Sequence, residues 1–398
     1  MAIIKSVLDT DLYGLHQGDF FFHKHPDAVG EYAYLCRDAT DLRHLRKPFM
    51  EQMEELSTLK ITEAELEYLR ANTFCSEAYL AHLASKPVFD HKVLQLGNEG
   101  NFSLRYRGEM HTKILWEPTL MAILSQLYFE DKHKDKWEEI HAKGKLWAEG
   151  QAAMLNNDAP EGFTFTEGGL RRRFSLEHQE NVLTTLWQQA KPFVAGTSNV
   201  YLGMKHGIPI QGTIAHQLIM FYQTIVGLQD CNKQALRDWS DHHKDRLNVG
   251  LSDTLGNKKW DLDFRGGHME RYKTERWDSG DAYEWADGRL AALAREGCST
   301  KGRYFNFSND LNPERAFALY NHYHEKIGVK TLMGTYWTNT MEIPSHKAIP
   351  QVIKLMWATP DKDESPLRPT IKTGADVGKM QCECPKLKEF ALQYLGAL

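Results

Sequence analysis

An α/β fold with a parallel sheet is predicted from two features of the sequence. Between residues 126 and 345, helical stretches alternate with short apolar runs. Each run is followed by a cluster of small or polar residues. Strand, polar turn and helix in repetition is how a parallel sheet with covering helices reads. Folds of this kind place their chemistry at the carboxyl ends of the strands.

The helical stretches are Glu177–Gln189, Ala215–Val226, Ala282–Arg295 and Pro313–Lys326. The apolar runs include Val194 up to Gly196, Ile208–Ile210, Val249–Leu251 and Tyr304–Phe307. Their polar followers are Gly-Thr-Ser-Asn, Gly-Thr, Ser-Asp and Ser-Asn-Asp. Residues 1–125 have a different texture and mix helix-like and strand-like segments. Glu51–Arg70 reads as two helices broken at Ser57-Thr58, the second opened by a capping box of Thr62 and Glu65. Phe102–Arg107 alternates like a half-buried strand. Residues 346–398 return to a strand-like Pro350–Leu355, a Pro-containing loop and a short tail. Three regions follow: 1–125, 126–345 and 346–398.

Composition narrows the function. Apolar residues are 42% and charged residues 25% of 398, and the formal net charge is −5. A nucleic-acid binder would carry a basic excess, so no nucleic-acid partner is expected. The most apolar stretches, Leu120–Phe129 and Leu218–Leu228, fall short of the roughly 20 residues a spanning helix needs. The opening residues carry no long apolar stretch before their first acids, so neither a signal peptide nor a membrane is expected, and the cytoplasm is the expected location. The six cysteines are scattered without a paired C-x-x-C spacing and read as reduced thiols.

Three local features can carry chemistry. Arg276-Trp-Asp-Ser-Gly-Asp281 sets two carboxylates three residues apart before a helix. Asp278 or Ser279 can cap that helix; equally, a strand-end carboxylate can hold hydroxyls or Mg²⁺ while Arg276 holds an anion. Gly212-Thr-Ile-Ala-His216 places a histidine after a polar turn. A lone histidine is more often structural, but neutral imidazole is a competent nucleophile near pH 7. Glu167-Gly-Gly-Leu-Arg-Arg-Arg173 is either a solvated face or an anion-binding loop, with Ser175 capping the next helix. Ser308-Asn309-Asp310 and Leu332-Met-Gly-Thr335 also follow apolar runs and can cradle a phosphate. No P-loop pattern is present. His23 to His25 and His242-His243 lack a partner set in the sequence and read as surface.

In this order the clusters resemble the nicotinate phosphoribosyltransferase family. The resemblance runs through Asp9-Thr-Asp-Leu-Tyr13, Arg171-Arg-Arg-Phe-Ser175, Gly196-Thr-Ser-Asn199, Gly212-Thr-x-Ala-His216, Leu251-Ser-Asp253, Arg276-x-Asp-Ser-Gly-Asp281, Ser308-Asn-Asp-Leu311, Gly334-Thr335 and Val352-Ile-Lys-Leu355. It implies an irregular α/β barrel joined to an α/β domain built from the N-terminal and C-terminal segments, and a homodimer. It also implies transfer of the phosphoribosyl group of 5-phosphoribosyl-1-diphosphate to nicotinate, with Mg²⁺ as cofactor and ATP as co-substrate. Tyr13 would stack on the pyridine ring, and Arg171, Ser198, Thr213 and Arg276 would bind substrate. Asp253 and Asp278 would serve catalysis, Asp278 and Asp281 the metal. Ser308, Asn309, Gly334 and Thr335 would hold the 5′-phosphate, and His216 would be phosphorylated by ATP.

The chain departs from the family pattern at three places. Gly168-Gly169-Leu170 stands where Phe-Gly-Thr is usual, with Phe165 or Trp277 as substitutes for the missing ring. Leu332-Met333-Gly334-Thr335 lacks the first glycine of a phosphate loop, and Tyr336–Thr340 lacks its closing aspartate. Gln217 replaces a frequent glutamate. Two further readings therefore stay open: a nicotinamide-type transferase, and a catalytically weakened paralogue that binds phosphoribosyl ligands. Against the former, Ile214-Ala215 follow Thr213 and offer no acceptor for an amide.

Overall fold

The computed structural model describes residues 2–38, 40–97, 102–212, 214–341, 343, 347–363, 365–374 and 380–398. Eleven strands occur among them: β1 Val29–Cys36, β2 Leu94–Gly97, β3 Ser103–Glu109, β4 Phe165–Glu167, β5 Val194–Thr197, β6 Val249–Leu251, β7 Thr274–Trp277, β8 Tyr304–Phe307, β9 Gly328–Met333, β10 Gln351–Thr359 and β11 Arg368–Pro369. The chain forms two compact units. One comprises Met1–Phe22, Ala33–Gly212 and Met333–Ile353; the other comprises His23–Tyr32, Thr213–Leu332 and Lys354–Leu398.

The first unit is mainly helical. Its long helix Trp116–His133 buries Leu120, Met121, Ile123, Leu124 and Phe129. Phe129 packs with Ile140, Phe174 and Met341. Leu176 and Leu183 pack with Leu202 and Ile208. Strands β2 and β3 pair antiparallel, Leu94 opposite Tyr106. Strands β4 and β5 pair parallel, Glu167 opposite Thr197. The capping box forms as the sequence predicts: the Glu65 N–H donates to Thr62 Oγ1, and the Thr62 N–H donates to Glu65 Oε2 at 2.7 Å.

The second unit carries four parallel strands in the order β9-β8-β7-β6. Helix Ala282–Arg295 joins β7 to β8, and Pro313–Tyr323 joins β8 to β9. Trp285, Phe305, Phe307 and Tyr323 form one ring cluster. On β6, a Cβ at Gly250 would lie 2.7 Å from the Trp260 ring, so only glycine lets that tryptophan lie against the strand.

The α/β class read from the sequence holds, and several boundaries move. Helix Ala282–Arg295 has the predicted limits. The helix expected over Ala215–Val226 breaks at Gly227, whose φ is 71°, and a second helical stretch continues to His243. Pro313–Lys326 stops at Tyr323. Ile208–Ile210 makes a single bridge, Ile210 to Thr197, rather than a strand. Strands β4 and β7 hide behind charged residues. Glu275 is buried because the Arg289 Nε–H donates to it at 2.7 Å and Trp260 Nε1–H at 2.9 Å. Such neutralised carboxylates look like surface in a sequence. Among the described residues no helix is long and apolar enough to cross a membrane.

Candidate active site

In the second unit, β6, β7 and β8 deliver their polar followers to one place. Parallel register sets Leu251 beside Arg276 and Trp277 beside Phe307. Hence Asp253-Thr254, Asp278-Ser279 and Ser308 emerge side by side, and His216, at the start of helix Gln217–His243, joins them. His216 Nε2 lies 3.1 Å from Asp278 Oδ2 and 3.6 Å from Asp253 Oδ1, and its Nδ1 lies 3.0 Å from Thr254 Oγ1. A carboxylate accepts only, so the neutral ring carries its proton on Nε2 and accepts from the Thr254 hydroxyl at Nδ1.

Arg276 grips the other edge of Asp278. Its NH2 group donates to Asp278 Oδ1 at 3.1 Å, its Nε–H to Ser308 Oγ at 2.8 Å and its NH1 group to the Ile214 carbonyl at 3.3 Å. Asp253 Oδ2 accepts from Ser279 Oγ at 2.7 Å and sits 3.1 Å from Lys372 Nζ. Two carboxylates thus face two fixed cations around one imidazole. Burial pushes the His216 ring down to about 4, and Lys372 pushes the same way, against the pull of Asp253 and Asp278. Burial opposes ionisation of Asp278, but Arg276 and the His216 bond outweigh it and hold the carboxyl well below the usual range. Asp253 is likewise opposed by burial and lowered by Lys372 and His216. At neutral pH the set is therefore a neutral imidazole between two carboxylates.

A second polar cluster lies in the first unit. The N-terminal segment runs beside the end of β5: Leu12 N donates to the Ser198 carbonyl, and Val200 N to the Thr10 carbonyl. Ser198 Oγ donates to Asp11 Oδ1 at 2.6 Å. Arg171 Nε is 3.6 Å from Asp11 Oδ2, and its NH1 is 3.5 Å from Glu117 Oε1. A Cβ at Gly212 would lie 2.8 Å from the Tyr13 nitrogen, so this glycine lets the turn before Thr213 lie against Tyr13. The three arginines do not form a solvated face. Arg171 is about one-third exposed, Arg172 donates to the Gln351 carbonyl, and Arg173 is fully buried on Asp9.

The remaining expected residues divide. Ser308 joins the His216 cluster, where its hydroxyl lies 2.9 Å from Asp278 Oδ1 and its N–H donates to the Trp277 carbonyl. Asn309 follows it in the same turn and is half-buried. Gly334 abuts Gly168, whose carbonyl would lie 2.8 Å from a Cβ there, and Thr335 opens a short helix. Thr213 lies outside the described residues. Asp281, rather than Asp278 or Ser279, caps helix Ala282–Arg295, its Oδ1 accepting from Tyr283 N and Glu284 N at 2.9 and 2.8 Å. The histidines read as surface are only partly so. His23 is exposed, but His243 is buried against the Trp239 ring, and His25 is half-buried with Nε2 3.0 Å from the Tyr222 hydroxyl.

Comparison with known proteins gives the family. The model of the nicotinate phosphoribosyltransferase (NAPRTase) family matches residues 163–389, and the model of its N-terminal domain matches residues 8–125. The chain belongs to the nicotinate phosphoribosyltransferase family. It is 32% identical over 352 residues to nicotinate phosphoribosyltransferase of Acinetobacter baumannii, covering 85% of this chain and 86% of that one. It is 30% identical to that of Serratia proteamaculans, covering 96% and 93%. The crystal structure of nicotinate phosphoribosyltransferase from Porphyromonas gingivalis superposes with a TM-score of 0.90 at 26% identity, over 99% of this chain and 100% of that chain. The Vibrio cholerae structure does so at 25% identity, over 99% and 94%. The chain is therefore an enzyme of this family.

Within Gly168-Gly169-Leu170 the middle glycine, which matches the family pattern, has a packing role: a Cβ at Gly169 would strike Thr338 Oγ1 at 2.3 Å. Of the two departing positions, Leu170 is fully buried. Neither suggested substitute offers a free ring: Phe165 is buried and stacked on Trp337, and Trp277 is buried with the Arg315 guanidinium over its ring. Thr254, Lys372 and Glu117 are contacts that the sequence reading missed. Lys372 had a faint signal, a single cation between Ile371 and Thr373 in a β-like segment.

Proposed function

We propose that the chain transfers the 5-phosphoribosyl group of 5-phosphoribosyl-1-diphosphate to nicotinate, giving nicotinate mononucleotide and diphosphate for NAD synthesis. The observation that carries this reading is the convergence of His216 and Arg276 on the two oxygens of Asp278. In the reaction the ring nitrogen attacks the anomeric carbon as the bond to diphosphate breaks. A sugar cation develops on the way, as in glycoside cleavage. Asp278, held ionised by Arg276, stabilises that positive charge. Arg276 supplies the charge that a pyridine carboxylate requires and that a neutral amide does not.

His216 supports a coupling to ATP. Its imidazole is neutral at pH 7, with the Nε2 proton held by Asp278 and the Nδ1 lone pair basic. In the proposed coupling a ring nitrogen bonds the γ-phosphorus as the β–γ bridging bond breaks. The flanking carboxylates then stabilise the ring cation. Mg²⁺ fits this donor set: Asp253 Oδ1 is buried without a hydrogen-bond donor, and carboxylate oxygens suit a hard cation that keeps phosphate oxygens as its other ligands. Asp253 and Asp278 would hold the ion, which neutralises charge on the leaving diphosphate. Asp281 spends an oxygen on its helix cap. The enzyme would work in the cytoplasm as a homodimer.

Purified protein is tested with labelled nicotinate or nicotinamide, the activated sugar and Mg²⁺, with or without ATP. The expected result is mononucleotide from nicotinate, stimulated by ATP. His216→Ala should abolish the stimulation and leave a slower ATP-independent reaction. Product from nicotinamide alone, or ligand binding without turnover, would replace this reading. Full coupling in His216→Ala would remove the role given to the histidine.

A further inference from the structure

Beneath the Arg171 cluster lies a polar network, every member of which is buried: Asp9, Glu167, Arg173, Gln179, Thr197 and Asn199. Arg173 meets Asp9 through two parallel bonds of 2.7 Å. Asn199 Nδ2 adds a third donor to Asp9 at 2.9 Å. Glu167 accepts from Thr197 Oγ1 at 2.6 Å and from the Gly169 N–H at 2.6 Å. Gln179 joins the two halves. Its Oε1 accepts from Arg173 NH1 at 3.2 Å and from Asn199 Nδ2 at 3.3 Å, and its Nε2 donates to both oxygens of Glu167 at 3.1 and 3.2 Å.

The sequence positions of these contacts matter. Through Glu167, Gln179 reaches the N–H of Gly169. Through its other end it reaches Arg173. One side chain therefore fixes both ends of the segment 169–173, whose middle residue is Arg171. The same network holds Asp9 and Thr197, whose near neighbours Asp11 and Ser198 are joined by a 2.6 Å hydrogen bond, with Asp11 facing Arg171. Arg173 Nε apart, the polar side-chain atoms of these residues are all hydrogen-bonded, and such a buried network favours one arrangement, because a shift leaves further buried groups without a partner. A hydrophobic support under this turn would tolerate sliding.

We propose that Gln179 is a positioning residue for Arg171, setting the guanidinium at which a substrate anion binds. This rests on the reading of Arg171 as a substrate-binding residue. Gln179 touches no reacting atom; it acts through the turn.

The test is a double-mutant cycle in the full-length enzyme, measured by steady-state formation of nicotinate mononucleotide. Arg171→Ala should raise the KM of an anionic substrate about tenfold or more. Gln179→Met should raise the same KM roughly three- to tenfold with kcat within about twofold. The double variant should have the KM of Arg171→Ala alone, within about twofold, because a misplaced arginine that is already absent cannot be lost again. A merely structural glutamine would give independent, multiplicative effects, and that result overturns the proposal. So does an unchanged KM in Gln179→Met. If Gln179→Met does not fold, Thr197→Val, which removes one hydroxyl bond to Glu167, takes its place in the same cycle with the same criteria. No effect of Arg171→Ala by itself would sink the reading of Arg171 and the inference with it. An effect of Arg171→Ala without one from Gln179→Met would sink the inference alone.

Discussion

Asp278 meets an imidazole on one oxygen and a guanidinium on the other, and these two contacts determine what the residue does. Its carboxylate is held ionised without a bound ion. It is also held in place, since Arg276 is itself fixed by Ser308 and the Ile214 carbonyl. Replacing Arg276 with alanine removes a charge-assisted bond worth roughly 1.5–3 kcal/mol, or about ten- to a hundredfold in affinity. The expected outcome is a rise of that size in the KM for nicotinate, with kcat also reduced because Asp278 loses its orientation. An unchanged KM in steady-state assays would place the arginine outside the substrate site. The residues were readable one by one: Asp253 and Asp278 stand in polar clusters after β6 and β7, Arg276 near the end of β7, and His216 after a polar turn. Lys372 was not, because its partner Asp253 lies more than a hundred positions away and no spacing rule connects them.

At the scale of elements, the strand ends matter more than the strands. Strand β7 is four residues long and all four are buried, two of them charged. Its sequence, Thr-Glu-Arg-Trp, carries no apolar alternation. Only Arg289 and Trp260, brought from other elements, make it a buried strand. Helix Ala282–Arg295, by contrast, has legible limits because its apolar face is local, although its cap is Asp281 and not Asp278 or Ser279. Asp281→Ala removes two capping bonds and should cost about 1 kcal/mol, read as a lower midpoint in denaturant unfolding. Since the oxygen concerned faces helix N–H groups, the Mg²⁺ concentration for half-maximal rate should stay within about twofold of wild type. A large increase there would restore Asp281 to the metal site.

For the whole molecule, the buried His216 and the half-buried His25 predict acid sensitivity. Burial lowers His216 to about 4, with Lys372 assisting against Asp253 and Asp278. Burial also lowers His25 to about 4, Lys24 assisting against Asp238. A folded-state value below the unfolded 6.5 means that the native state resists protonation. The stability concerned is complete above pH 6.5 and falls as pH drops towards 4. At 1.36 kcal/mol per unit, each group accounts for on the order of 3 kcal/mol. The lowered Asp253 and Asp278 add losses only below the normal carboxylate range. Thermal midpoints should therefore decline steadily between pH 6.5 and 4 and change little from 6.5 to 7.5. A flat profile down to pH 4 would contradict the burial of these rings.

The sequence by itself determined the α/β class, the helices with local caps and the order of the polar clusters along the chain, because those depend on periodicity and on neighbours a few residues apart. Family membership was legible in the same clusters. The tertiary structure alone decided that Arg173 is buried on Asp9 while Arg171 faces Asp11, that Asp281 caps a helix, and that Lys372 joins Asp253. Adjacent arginines are alike as residues; their charges acquire different roles only when distant carboxylates are packed beside them, and long-range packing leaves no period in the sequence.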